Sequence, residues 1–169
     1  MAKNWRISSL SGALLAAYFI PAWTIVAFRI LVSPIHGLYE RSNISFALFV
    51  TDNLQLASMA TVRFAWLLAL GRITVVAFLA VFLVFMIRAA FRKGGGGHEA
   101  LAMALGIGSV ISFAGVLLAS FVGETAALRL HAAELLMMLG TVIVMLFEAP
   151  VEKPADAGVA PGELSLQQT

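Results

Sequence analysis

Seven side chains hold most of the chemical potential of this sequence: Arg29, His36, Arg72, Glu124, Arg129, His131 and Glu134. His131 and Glu134 are three residues apart, which places an imidazole and a carboxylate on one face of a helix. Such a pair can share a proton, or supply two ligands to a carboxylate-bridged metal. The metal site would need further carboxylates from neighbouring helices, and no other apolar stretch contains an interior Asp or Glu. No metal site is therefore expected. A bis-histidine haem needs two inward-facing imidazoles at one depth; His36 and His131 both fall on the outer side, which leaves the idea open, and His98 falls on the opposite side. The bland reading of all three histidines is an interfacial side chain with no ligand role. Nucleophilic catalysis has no support, because no serine lies near a histidine and an orienting acid at the same depth. Ser109 and Ser112 are expected to bond to preceding backbone carbonyls. The sequence has no cysteine, which removes thiolate chemistry, disulfides and iron–sulfur clusters.

The elements that must position these residues follow from composition. Of 169 residues, 61% are hydrophobic and 12% charged, with a mean hydropathy of +0.96. A soluble domain is about half apolar and about one quarter charged, and a chain this small cannot hide the excess in one core. A soluble enzyme and a disordered chain are both excluded, and with a net charge of only +2 there is no clustered basic face for nucleic acid. The reading is an all-α integral membrane protein. It has four transmembrane helices in a small bundle, with an amphipathic interfacial helix between the first and second.

A crossing takes roughly 20 mainly apolar residues. The expected spans are about 7–30, 64–88, 100–123 and 130–149, in a single transmembrane domain of residues 1–150. Pro21 is expected to kink the first span, and Pro150 to end the fourth. The stretch 43–62 puts Phe46, Phe49, Val50, Leu54, Ala57 and Ala60 on one helical face, with Asn53 misplaced among them, and Thr51, Asp52, Gln55 and Ser58 on the other. That pattern suits a helix lying on the membrane surface; a re-entrant segment or a helix packed on a partner are the alternatives. Four glycines at 94–97 read as a flexible linker, and residues 151–169 as a disordered cytoplasmic tail.

Orientation comes from the cations. Lys3, Arg6, Arg88, Arg92, Lys93 and Lys153 fall on one side, and Arg29, Arg41, Arg63 and Arg129, with Arg72 at the boundary, on the other. The positive-inside rule then places both termini in the cytoplasm of a bacterial inner membrane. Trp5 falls at the inner interface and Trp23 and Trp66 near the outer one, where amphipathic rings prefer to sit.

On this placement Arg29, His36, Arg72, Glu124, Arg129, His131 and Glu134 form a polar cluster near the outer side. Arg72 and Arg88 are sixteen residues, about 24 Å, apart along a helix, so both can snorkel to opposite interfaces and mark the span. Glu134 has a short stem and lies about one turn inside the fourth span, so it needs a partner, a cavity or a proton. Arg72 matches it in depth, with Arg129 and Arg29 as alternatives. A structural ion pair, a functional carboxylate and a boundary residue are the open readings. In the third span Ala104, Gly108, Ser112, Gly115 and Ala119 form a stripe of small residues suited to close helix packing, with Gly140 of the fourth span as the matching notch. Phe64, Phe78, Phe82 and Phe85 are expected to face lipid or a partner.

In size and span count the chain resembles the small four-helix membrane subunits of several bacterial transport and respiratory assemblies. The likeness is architectural, and no residue motif matches a family. The expected function is an accessory or structural subunit of a larger membrane complex, acting through helix packing with a membrane protein partner or a second copy. Two alternatives stand beside it: a transporter or channel component using an outer-side Arg/Glu pair, and a haem- or quinone-binding anchor of a redox enzyme. No cofactor is required by the sequence, and no catalytic activity of its own is expected.

Overall fold

The computed structural model describes residues 7–88 and 96–148. Among the described residues six α-helices follow one another: α1 (Ile7–Val32), α2 (Pro34–Leu38), α3 (Ile44–Leu48), α4 (Ser58–Ile87), α5 (Gly96–Val122) and α6 (Thr125–Glu148), with a π-helical turn Phe49–Asn53 continuing α3. The expectations for Trp5, Lys3, Arg6, Arg92, Lys93, Lys153, Pro150, Gly94, Gly95 and the 151–169 tail lie outside the described residues. α1, α4, α5 and α6 are each long and apolar enough to cross a membrane, and the chain is an integral membrane protein of the all-α class.

The spanning helices form a closed ring, each packed on its chain neighbours, with α6 returning to α1. Three polar rungs join α1 to α6 in antiparallel register. The Ser8 backbone N–H donates to Glu148 Oε2 (3.1 Å), the Ser11 and Thr141 hydroxyls meet at 3.1 Å, and Trp23 Nε1 donates to Glu134 Oε1 (3.0 Å). Two apolar clusters fill the ring. Leu15, Phe19, Leu79, Phe82, Leu105 and Met138 belong to the one toward the Glu148 end. Ala27, Ile30, Leu38, Phe46, Ala65 and Leu68 belong to the one toward the Arg129 end.

Several local expectations change. Residues 43–62 are not one surface helix. Asn43 opens α3, its Nδ2 donating to Gly37 O at 2.8 Å, and Phe46, Ala47 and Val50 are buried against the bundle. The helix then widens: Thr51 Oγ1 bonds back to Ala47 O at 3.0 Å, a local bond that competes with the regular ladder. Gln55 follows with φ 47°, so the segment 54–57 breaks the helix and 58–62 becomes the first turn of α4. Gly96 and Gly97, expected in a linker, lie in the first turn of α5, where unpaired N–H groups tolerate poor helix formers. α1 runs unbroken through an exposed Pro21. Phe82 is 3% exposed rather than lipid-facing, because Gly12 of α1 leaves room for its ring.

α5 and α6 are joined by a two-residue turn. Gly123 takes φ +74°, and the Glu124 N–H reaches back to Ala119 O at 2.9 Å, closing α5 with a left-handed glycine cap. The Glu124 carbonyl accepts from Leu128 N and begins α6.

Candidate functional site

Along each spanning helix one or two polar or amphipathic residues interrupt the buried apolar face and gather in one node. On α1 the buried face runs Ala16, Phe19, Trp23, Ala27, Ile30, and on α4 it runs Ala65, Leu68, Arg72, Val75, Leu79. Ser112 supplies the position on α5, and His131 with Glu134 on α6. All five are sealed: Ser112 is 0% exposed, His131 1%, Trp23 and Arg72 2%, Glu134 6%.

Glu134 is the centre of this node. Its Oε1 accepts from Trp23 Nε1 (3.0 Å), and its Oε2 from Ser112 Oγ (3.3 Å) and from His131 Nδ1 (3.0 Å). When Glu134 is ionised it only accepts, and His131 Nδ1 is then the donor of their bond. The Arg72 guanidinium carbon lies 5.6 Å from the centroid of the Trp23 ring, a cation–π distance. Among the described residues no N···O contact of 4.0 Å or less joins Arg72 to Glu134. Trp23 stands between them, its ring toward the cation and its N–H toward the anion. Among the described residues, Arg72 Nε and Nη1 and His131 Nε2 find no hydrogen-bond partner. The other face of His131 meets the Phe46 ring edge-on at 5.8 Å, and Gly115 lies so close that a Cβ there would sit 2.6 Å from the imidazole.

Depth is the main departure from expectation. α6 begins at Thr125, so Glu134 lies nine residues, about 13 Å, inside it. Arg72 lies fourteen residues from Ser58 and fifteen from Ile87, in the middle of the 30-residue α4. It is not a snorkelling boundary residue, and Trp23 is not an interfacial ring.

The other candidates do not join the node. Arg29 pairs with Glu40 at 3.0 Å on the surface. His36 is exposed on α2, while His131 is enclosed. Glu124 occupies the α5–α6 turn and Arg129 is exposed on α6. Among the described residues no three His, Asp or Glu side chains gather as a metal site.

Ala104, Gly108, Ser112, Gly115 and Ala119 are all buried. Gly108 lies against Met138, and Gly115 against His131, so this stripe receives the bulky side chains of α6. Gly140 does not take part: it is exposed, and nothing lies within 4 Å of a Cβ placed there. Trp23 and Ser112 are the node members that sequence reasoning assigned to other roles. The signal for Trp23 was its place in the 16–19–23–27–30 spacing, which is one helical face.

Chemically, the node can hold a proton on the His131–Glu134 pair and neutralise a buried guanidinium. Apolar clusters bracket it along the bundle axis. Comparison with known protein families, characterised proteins and solved structures found no match to this chain.

Proposed function

We propose that the chain is an accessory, structural subunit of a larger membrane complex, its bundle locked at mid-depth by the Glu134 node. The observation that carries this reading is the sealing of the node between two apolar clusters. A transport path needs polar groups that reach an aqueous side, and here the carboxylate's hydrogen bonds are all made to other helices or to its own. Hydrogen bonds between helices hold a bundle together where lipid supplies no hydrophobic drive. The exposed flanks, with Leu14, Phe28, Leu67, Phe121 and Phe147, are apolar and suit lipid or a partner helix. The proposed setting is a bacterial inner membrane with both ends of the chain cytoplasmic.

The test is extraction of a chromosomally tagged copy in a mild detergent, followed by native mass spectrometry. The expected result is a discrete species of constant mass containing a second membrane polypeptide at fixed stoichiometry. A lone chain that moves protons or solute when reconstituted in liposomes would overturn the reading. That outcome would favour the transporter alternative, which draws support from the unpartnered buried nitrogens of Arg72 and His131. A Soret band in the purified protein would favour the redox anchor instead.

A further inference from the structure

The end of the bundle that carries the α5–α6 turn has two arginines at one groove, separate from the node. Arg41, in the turn between α2 and α3, and Arg129, on α6, line one groove of about 330 Å³ whose remaining walls are Ala126 and Leu130. Eighty-eight residues of sequence separate the two arginines, so tertiary folding alone brings them to one groove. Both are exposed. Among the described residues, neither guanidinium has a carboxylate within 4.0 Å. The nearest acid in sequence to Arg41 is Glu40, and it is already engaged by Arg29 at 3.0 Å.

The level of the groove matters as much as its charge. Arg129 lies four residues, about 6 Å, from the start of α6, and its stem can carry the guanidinium outward to the headgroup region. Two arginines lining one groove match the oxygens of a phosphate ester, which arginine binds in bidentate fashion. Ala126 and Leu130 give the groove apolar walls, suited to the glycerol and first acyl methylenes beside a phosphate and poorly suited to a small hydrated anion. We propose that Arg41 and Arg129 clamp the phosphate of one anionic phospholipid at this edge of the bundle.

The experiment is a native mass spectrometry titration of the full chain, released from neutral detergent micelles, with phosphatidylglycerol, phosphatidylcholine or inorganic phosphate. The wild type should retain one phosphatidylglycerol in preference to phosphatidylcholine. The double variant Arg41→Gln, Arg129→Gln should lose that preference by about thirtyfold, from about 1 kcal/mol for each cation near an anionic headgroup. Both side chains are exposed, so the variant should keep the wild-type melting temperature in lipid-free micelles. The Arg41→Lys, Arg129→Lys variant, which keeps the charge but not the fork, should fall between. Three results would overturn the proposal: undiminished lipid retention by the glutamine variant, equal retention of phosphatidylcholine, or displacement of the lipid by millimolar inorganic phosphate. The last would assign the groove to a free anion.

Discussion

The indole N–H of Trp23 donates to Glu134 Oε1 at 3.0 Å across 111 residues of sequence, tying the first spanning helix to the last. The same ring carries Arg72 on its face, so one side chain connects the buried cation and the buried anion without their touching. Charge at this depth costs upward of ~3 kcal/mol when unpaired. The node is therefore expected to respond very differently to removing one charge and to removing both.

Glu134→Ala leaves the Arg72 guanidinium buried without its counter-charge and should destabilise the bundle by about 3–5 kcal/mol. Glu134→Gln keeps an acceptor for Trp23 and should cost less. The double substitution Arg72→Met with Glu134→Leu removes both charges together and should regain most of the loss, since apolar replacement of a buried pair is often near neutral. Unfolding in mixed dodecylmaltoside–SDS micelles, followed by helical circular dichroism, measures all three. A double variant no better than Glu134→Ala would show that the two charges are not coupled.

Three glycines should rank by what their missing side chains would touch. At Gly115 a Cβ would sit 2.6 Å from the His131 ring carbons, and a rigid imidazole held by Glu134 and Phe46 cannot step aside. Gly115→Ala should cost about 2–3 kcal/mol, in the range of an overpacked core. At Gly108 the obstacle is the Met138 sulfur at 2.8 Å, the flexible part of an adaptable side chain, and the loss should be about half as large. Gly140 meets nothing within 4 Å, so Gly140→Ala should stabilise α6 by about 0.5–1 kcal/mol through helix propensity. The same unfolding assay in micelles reads the order, and a Gly140 variant worse than the Gly115 one would contradict it.

The four spans were legible because runs of twenty apolar residues have one physical meaning in a chain with few charges. The small stripe on α5 was legible for a similar reason, since spacings of three and four place residues on one face. The depth of the node was not. Arg72 and Glu134 sit near the edges of their charge-free apolar runs, and the turns that extend the helices, 58–63 on α4 and 125–130 on α6, each carry an arginine that breaks the run in sequence. Trp23 was misplaced because the preference of indoles for membrane interfaces is a population tendency, and here one buried carboxylate outweighs it. Arg41 and Arg129 gave no joint signal, because only the packing of α2 and α3 over the bundle end brings them to one groove.

The cap made by α2 and α3 depends on Asn43, which is 0% exposed and donates its Nδ2 to Gly37 O at 2.8 Å. Asn43→Ala leaves that carbonyl buried without its donor, a loss of about 1–3 kcal/mol. Since Phe46 begins one turn later and covers His131, loosening the cap should also expose the imidazole. Hydrogen exchange at the α3 amides and the carbon-bound proton signals of His131 would report this. An unchanged His131 environment in a variant with an exchanging α3 would separate the cap from the node.

The α5–α6 turn gives a test of backbone conformation alone. Gly123 has φ +74° with nothing within 4 Å of a Cβ built on it, so a substitution there meets no steric obstacle, only left-handed strain. Gly123→Ala should cost about 1–2 kcal/mol, while Gly123→Asn, whose short polar side chain tolerates this region, should cost distinctly less. The node lies well inside both helices, so neither substitution should alter the order of effects at Arg72 and Glu134. The measurement is the midpoint of unfolding in mixed micelles for the two variants beside the wild type. Equal losses for alanine and asparagine would mean that the turn is held by something other than its left-handed residue.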